Sequence, residues 1–350
     1  MSELINTHHS RATIRWKLLA GVSSLALTVY VSAASMVRAE DADHPLLWIE
    51  LGGQAAWNEN SQEAFLSPFT PAVPTPFEII SLAAVEKPAR ASWDENAAIS
   101  FQPADSKWVF SAGVRYGRSG RHQFLSQRTE TPDTPTGVLV AYQNITASTS
   151  ESHAILDFSA GRDVGVGMGI SSFVNLGVRY VQFSASRNTF IQSQPTNVGF
   201  PYTYHRINAH LVAARKFSGV GPSLSWDASA RLAGDRDNGE IGIDWGVNAA
   251  LLFGRQSARG HHQTTNVLYY TFYPRRSYDN SVPISRGKQI TVPNVGGFAG
   301  VSWRVPNAKV SVGYRADFFF GAMDGGIDTA RKENVGFYGP FASVSVGLGG

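Results

Sequence analysis

The sequence contains no cysteine among its 350 residues. This absence excludes disulfide-stapled folds, thiolate zinc sites and cysteine-dependent catalysis. Charged residues are also sparse, at 16% of the chain against about 25% in an average soluble domain. The mean hydropathy of -0.13 is too low for a bundle of transmembrane helices, because each such helix needs about 20 apolar residues.

Glycine, with 34 residues, and aromatic residues, at 11%, are by contrast abundant, and 43% of the chain is hydrophobic. Such a composition excludes an intrinsically disordered chain. Few charges combined with middling hydropathy indicate that apolar and polar residues alternate finely along the sequence. The protein class that shows this composition is the outer-membrane β-barrel.

The N-terminal segment resembles an export signal. Three basic residues precede an apolar stretch at 18–37, and Ala39 ends a short motif suited to signal cleavage. We therefore predict that residues 1–39 are a signal peptide and that 40–350 form the mature chain; an uncleaved anchor helix is the alternative. Without the signal the acidic and basic residues balance, so the pI gives no reason to expect nucleic-acid binding.

Alternation with a period of two runs through most of the mature chain. In residues 223–233 (SLSWDASARLA) the even positions from 224 to 232 are all apolar, while the odd positions from 225 to 231 are Ser, Asp or Arg. The same pattern recurs at 241–254 and 309–318. A strand separates such residues onto two faces, whereas a helix scatters them around its circumference.

The alternating segments predict an all-β fold, a transmembrane antiparallel up-and-down β-barrel of about twelve strands. The predicted strands are 46–57, 94–102, 108–118, 152–161, 172–186, 203–216, 222–233, 241–254, 264–273, 290–304, 309–320 and 335–348.

The lengths of the connections support two different barrel ends. The predicted inner turns are short: 103–107, 162–171, 217–221, 255–263 and 306–308. The predicted outer links are 58–93, 119–151, 187–202, 234–240, 274–289 and 321–334, and only 234–240 is not longer than every inner turn. Short periplasmic turns and long outer loops are typical of outer-membrane barrels, and 58–93, 119–151 and 274–289 are the expected long outer loops.

Aromatic residues near strand ends favour a membrane barrel over a soluble sandwich. Trp and Tyr prefer the boundary between lipid and water. The opposite strand faces bear charges of both signs, unlike the apolar core of a sandwich. The aromatic residues expected on the lipid side are Trp48, Trp57, Trp108, Tyr116, Tyr180, Tyr202, Tyr204, Trp303 and Phe337.

Four segments in the second half of the chain resemble a known family. Residues 219–233 (GVGPSLSWDASARLA) and 246–254 (GVNAALLFG) are similar to the Legionella-type major outer-membrane protein family of pore-forming barrels. Residues 292–306 (VPNVGGFAGVSWRVP) and 309–320 (KVSVGYRADFFF) are similar to the closing strands of that family. The resemblance implies a barrel that passes small solutes and implies no catalytic residue.

Charges on the polar strand face are the candidates for a pore lining, because Arg or Lys facing lipid at mid-membrane costs about 2–4 kcal/mol. Opposite charges across a lumen would orient and sort passing ions. Paired charges that fill a narrow barrel are the alternative, since eight strands leave no channel and sixteen leave a wide one. The candidates are Arg115, Asp157, Arg179, Arg206, Asp227, Arg231, Asp244, Arg315 and Asp317.

We therefore expect a non-enzymatic, porin-like protein of the bacterial outer membrane that admits small hydrophilic solutes or ions. Its expected partners are outer-membrane lipid and those solutes; no cofactor, metal or nucleic acid is implied, and homo-oligomerisation stays open. A surface receptor, an adhesin or a purely structural barrel is the first alternative. An outer-membrane hydrolase is the second, with possible site residues His153, His205, Asp133, Asp235 and Asp237.

Overall fold

The structure is a computed structural model. It describes residues 47–59, 90–104, 106–134, 137–164, 170–196, 202–235, 238–270, 274, 276–325 and 330–348. The predicted signal peptide at 1–39 and most of the predicted loop at 58–93 lie outside these residues. Among the described residues, no helix is long and apolar enough to cross a membrane.

In the part of the chain that the structure describes, ten antiparallel strands form a closed barrel in which each strand pairs with its neighbours in sequence. The ring is completed by pairing of the first strand with the last, from Leu47 opposite Leu348 to Glu59 opposite Gly336. The strands are β1 Leu47–Glu59, β2 Arg90–Phe101, β3 Trp108–Thr134, β4 Gly137–Asp163, β5 Ile170–Thr196, β6 Tyr202–Asp235, β7 Gly239–Tyr270, β8 Arg276–Val305, β9 Ala308–Asp324 and β10 Lys332–Leu348.

The all-β closed architecture agrees with the sequence, whereas the predicted twelve strands are replaced by ten in the described chain. Predicted strands 203–216 and 222–233 are parts of β6, and predicted strand 241–254 and residues 264–270 of predicted strand 264–273 are parts of β7. Residues 271–273 lie outside the described residues. The inner turns predicted between them are continuous strand. Merging each pair removes two strands and leaves the number even.

The merger also corrects the two barrel ends. The link after β6, predicted as outer, lies at the inner end with both termini, which explains why 234–240 was too short for an outer loop. Most of the predicted outer loop 119–151 is the hairpin of β3 and β4, and most of 274–289 is the first half of β8. These segments are strand and not loop because the strands continue beyond the apolar part of the wall.

The outward face of the barrel becomes mostly polar toward the outer ends of the long strands, where Phe124, Phe190 and Val212 are exposed among polar residues. On β5, Leu176, Val178 and Tyr180 are exposed, and the next outward residue is Gln182. On β7 the exposed apolar residues end at Phe253. Exposed apolar side chains of this kind surround the inner half of the barrel, and we call this band the apolar belt. Its members include Ile99, Phe110, Val114, Phe158, Leu224, Val247, Val295, Val301, Val312 and Val344.

The strands β3 to β8 continue outward past the apolar belt as a tall wall. On β7, the 15 steps from Arg255 to Tyr270 add about 50 Å along the strand, at about 3.3 Å per residue. In contrast, β2 last pairs with β3 at Arg118, and β9 last pairs with β8 at Asn294. The described outer wall is therefore a six-stranded sheet on one side of the barrel.

Gly221 lies where a turn was expected, so a substitution at this position tests whether β6 is continuous. A Cβ placed on this buried glycine would lie 1.9 Å from the carbonyl oxygen of Leu251 on β7. We expect Gly221→Val to lower the free energy of unfolding by about 1–3 kcal/mol through overpacking. Urea titration of the refolded protein in detergent micelles measures this change.

Gly120 provides the matched control. It is exposed on β3, and the nearest atom to its added Cβ would be 3.8 Å away, at the carbonyl oxygen of Thr149. We expect Gly120→Val to unfold at the wild-type urea concentration. Equal stability of the two variants would contradict the close packing of β6 against β7.

Candidate functional site

Polar and charged side chains meet inside the barrel at mid-height. Arg115 on β3 donates to Asp317 on β9 at 2.6 Å, and both side chains are buried. Three strands separate β3 from β9 around the ring, so the pair can form only through the lumen. The alternation of the strands thus directs these charges inward, as their sequence parity indicates.

Arg179 on β5 is the centre of a second group. Its Nε and Nη2 atoms donate to the two carboxylate oxygens of Asp157 on β4, at 2.6 and 3.1 Å. Its Nη1 atom donates to the amide oxygens of Asn248 on β7, at 2.7 Å, and of Asn294 on β8. A single guanidinium therefore joins four strands. We call these contacts and the Arg115–Asp317 pair the ion-pair layer.

His153 joins the ion-pair layer to the apolar residues above it. Its Nε2 atom lies 2.9 Å from Oδ2 of Asp94, and both side chains are almost fully buried. The imidazole ring also lies against Phe337 of β10, with ring centroids 3.8 Å apart. The polar edge of the histidine is therefore satisfied by a carboxylate while its face packs on a phenyl ring.

An apolar layer crosses the lumen immediately outward of the ion-pair layer. Phe183 on β5 contacts Phe319 on β9, with centroids 4.8 Å apart, and Phe337 on β10, with centroids 5.6 Å apart. Phe217 on β6 also contacts Phe183, with ring centroids 6.0 Å apart. The four side chains are 0–4% exposed. Because β5 and β10 lie on opposite sides of the ring, these contacts fill the cross-section; we call them the phenyl layer.

Aliphatic side chains from the remaining wall pack around the phenyl layer. They come from six strands and are all buried. The layer thus resembles the apolar core of a soluble domain enclosed in a barrel. Its further members are Ile155, Val181, Ala185, Ala250, Leu252, Val292, Ala322, Met323 and Val335.

A cavity of about 510 Å³ lies inward of the ion-pair layer, and we call it the vestibule. On its wall, Asp244 is paired with Arg304 and with Lys309, whose Nζ atom lies 2.7 Å from the carboxylate. Asp227 accepts a hydrogen bond of 2.7 Å from Asn175. Residues of nine strands line the cavity, which makes it the inner mouth of the lumen.

Arg315 marks the boundary between the vestibule and the ion-pair layer. Its guanidinium carbon lies 4.9 Å from the ring centroid of Phe341 and 5.7 Å from that of Phe298. Each contact of the guanidinium cation with a phenyl ring contributes about 0.5–2 kcal/mol, depending on desolvation. The cation is thereby held beneath the ion-pair layer.

Further ion pairs lie on the outer side of the phenyl layer. Arg215 of β6 is paired with Glu333 of β10 across the ring. Arg286 of β8 forms a two-pronged contact with Asp324 of β9, at 2.6 and 3.0 Å. The lumen is therefore a stack of four zones: vestibule, ion-pair layer, phenyl layer and outer ion pairs.

The structure brings most of the predicted lining residues together. Seven lie inside the barrel: Arg115, Asp157, Arg179, Asp227, Asp244, Arg315 and Asp317. Arg231 is exposed at the inner end of β6, next to a register irregularity. The side chain of Arg206 lies outside the described part of the chain. Whether these charges line a conducting pore stays a prediction.

Several interior residues escaped the sequence analysis, although the same parity identifies them. Phe183 is four positions from Arg179 and Phe319 is two from Asp317, so each phenyl ring shares the inward face of a predicted lining charge. Trp48 and Phe337 were assigned to lipid, yet Trp48 lines the vestibule and Phe337 belongs to the phenyl layer. These two residues were assigned to the lipid side because they are aromatic, although their alternation with neighbouring residues places them on the inward face.

The hydrolase hypothesis gains no geometry from the described residues. His153 is buried in the lumen with Asp94, whereas Asp235 is exposed at the inner turn, where it accepts hydrogen bonds from Asn238. The side chains of His205 and Asp133, and all of Asp237, lie outside the description. Within the described chain, no three His, Asp or Glu residues are grouped as a metal site would need.

Comparisons with known proteins find no matching family model and no matching curated protein. The transport unit of the autotransporter AIDA-I from Escherichia coli has a TM-score of 0.26 and 7% identity, covering 93% of this chain and 98% of that chain. A bacterial polysaccharide outer membrane secretin has a TM-score of 0.19 and 9% identity, covering 88% of this chain and 100% of that chain. The toluene transporter TbuX from Ralstonia pickettii has a TM-score of 0.16 and 10% identity, covering 87% of this chain and 92% of that chain. At these scores the function must be argued from the chain itself.

The Arg115–Asp317 pair offers a direct test of the ion-pair layer. Removing one partner leaves a buried charge without its counter-ion, which costs about 3–5 kcal/mol. We expect Arg115→Met and Asp317→Leu each to lower the free energy of unfolding by about that amount. Urea unfolding of both variants measures the loss.

The double variant R115M/D317L supplies the control for that experiment. It removes both charges, so we expect it to be more stable than either single variant, with a coupling energy of about 1–3 kcal/mol. Strictly additive losses would contradict a direct interaction between the two side chains.

Proposed function

We propose that this chain is a bacterial outer-membrane barrel, exported by a cleaved signal and anchored by its apolar belt. The belt places large apolar side chains outward around the inner half of the ring. A sheet in hydrocarbon must leave no unpaired edge, and the β1–β10 pairing meets this condition. Polar side chains on the inward face and apolar ones on the outward face are the arrangement expected in lipid.

The observation that bears most on function is the contact of Phe183 with Phe337 on the opposite side of the ring. Together with the ion-pair layer it fills the lumen, so this conformation is closed to diffusing solutes. The proposed role is therefore non-catalytic and is exerted at the outer surface. The wall of β3 to β8 would act as a receptor or adhesin for an extracellular partner.

A porin-like role is the second candidate, and the vestibule favours it. A cavity of about 510 Å³, lined by charges of both signs, opens the inner half of the lumen to small hydrophilic solutes. Only the ion-pair and phenyl layers then separate this cavity from the outer zone. In this hypothesis the layers move apart to admit solutes, and the lining charges select among them.

Conductance through planar bilayers separates the two candidates. We expect wild-type protein to be silent, because the phenyl layer closes the lumen. F183A/F337A removes two opposed rings, and we expect it to produce stepwise conductance; F337A alone is a milder variant should the double variant fold poorly. The lipid-facing pair L176A/V247A should remain silent.

Stepwise conductance by the wild-type protein would refute the closed barrel and favour the porin-like role. Silence of F183A/F337A, with the folded state confirmed by its shifted migration on unheated gels, would show that the ion-pair layer closes the lumen independently of the phenyl layer.

Site-directed nitroxide labels test the membrane placement, and the absence of cysteine makes single-cysteine variants simple to prepare. In phosphatidylcholine vesicles we expect labels at Leu176 and Val247 to collide with oxygen, which partitions into hydrocarbon. Labels at Ser184 and Ser257, outward on the same strands beyond the belt, should collide with a water-soluble nickel complex instead. Equal accessibility at all four positions would contradict insertion of the apolar belt.

A further inference from the structure

The outward face just beyond the apolar belt bears an uncompensated cluster of three cations: Lys216 on β6 and Arg255 and Arg259 on β7. All three side chains are exposed, while the residues that alternate with them, such as Arg215 and Gln256, are buried in the barrel. The cluster is therefore on the outer surface of the wall and is separate from the lumen.

The register places the three cations next to one another. Lys216 is opposite Ser257, so Arg255 and Arg259 occupy the two diagonal positions on the neighbouring strand. Diagonal neighbours in an antiparallel sheet are about 7–8 Å apart. Lys216 thus lies between the two arginines, and an anion bound there could contact the lysine and either guanidinium.

Acidic residues are absent from this part of β5, β6 and β7, and the exposed Asp279 of β8 is opposite Thr265, six residues outward of Arg259. Residues 182–196 of β5, 202–220 of β6 and 253–270 of β7 contain no Asp or Glu at all. Among the described residues, none of the three cations is paired with a carboxylate. Like charges at these distances repel one another, so an external anion bound between them would stabilise the cluster.

The height of the cluster identifies the source of the anion. Arg255 is two residues beyond Phe253, which ends the apolar belt on β7, and Lys216 is four beyond Val220, which ends it on β6; the exposed Val212 stands alone further outward. The cations therefore begin about 7–13 Å outward of the apolar belt along the strands. Lipid phosphates lie at this boundary between hydrocarbon and water.

The outward-facing guanidinium of Arg255 lies next to a glycine and two serines. A Cβ on Gly287 of β8 would lie 3.5 Å from Nε and Nη2 of Arg255, so the arginine side chain extends across a position without a side chain. The outward hydroxyls of Ser218 and Ser257 are its neighbours in the register. Arg forks, Lys ammonium groups and hydroxyls are the donors that phosphate oxygens accept from.

We propose that Lys216, Arg255 and Arg259 bind the phosphate of an outer-leaflet lipid headgroup. The proposal rests on insertion of the apolar belt in the outer membrane, because that insertion brings headgroup phosphates to the height of the cluster. It gives the barrel a specific lipid partner on the β6–β7 side. Binding there would fix the depth of the wall relative to the membrane surface.

The test titrates the full-length protein in dodecyl maltoside micelles with bisphosphorylated lipid A, and native mass spectrometry counts the bound lipid. We expect K216Q/R255Q to raise the Kd by about tenfold or more, since charge-assisted hydrogen bonds to phosphate are lost. R259Q should give a smaller increase. Lipid A stripped of both phosphates should bind wild type and K216Q/R255Q equally weakly.

K107Q/R162Q is the matched control, because it also removes one Lys and one Arg, both exposed at the inner end of the barrel. We expect its Kd for lipid A to equal that of wild type. An unchanged Kd for K216Q/R255Q would overturn the proposal. Displacement of lipid A by inorganic phosphate at equal concentration would also overturn it, by showing a site for free anions.

Failure of the lipid-binding proposal can be distinguished from failure of the proposed function. If the nitroxide labels show no insertion of the apolar belt, the outer-membrane assignment is refuted together with this inference. If the labels show insertion while K216Q/R255Q binds lipid A as wild type does, only the lipid site is refuted.

Discussion

The pairing of β1 with β10 is the constraint on which the rest of the structure depends. A peptide group without a partner in hydrocarbon costs several kcal/mol, so a sheet with a free edge could not be stable there. The register from Leu47–Leu348 to Glu59–Gly336 closes the ring along the whole of β1. Beyond the apolar belt water can satisfy the backbone, and there the described wall is no longer closed.

Closure with ten strands also decides what the lumen contains. The diameter of a barrel grows with strand number, and eight strands already enclose only side chains. Ten strands leave a slightly wider interior, which large side chains such as Phe183, Arg115 and Arg179 can still bridge. Buried charges are tolerated because each is matched: Arg115 by Asp317, and Arg179 by Asp157 and two amides.

The sequence predicts the strand type and the inward face well, because parity depends only on the backbone. It therefore places Arg115, Arg179 and Asp317 correctly inside. It fails on strand number because residues 255–263 (RQSARGHHQ) lose the alternation of apolar and polar residues where β7 leaves the apolar belt, and a polar segment that contains Gly resembles a turn. Contacts across the ring, such as Phe183 with Phe337, depend on the diameter and could not be predicted once that number was wrong.

In the proposed closed barrel the phenyl layer, more than the ion-pair layer, would set the permeability. Charged groups such as those of Asp157 and Arg179 can exchange a partner for water, so a gap between them would hydrate and conduct. An apolar constriction excludes water even when it is slightly open, which is how hydrophobic gates stop ions. Arg179, whose contacts join four strands, and the Arg115–Asp317 pair would instead hold the wall at the diameter that keeps the phenyl rings in contact. In the proposed closed barrel the two layers would therefore be mechanically coupled, with the phenyl layer as the seal.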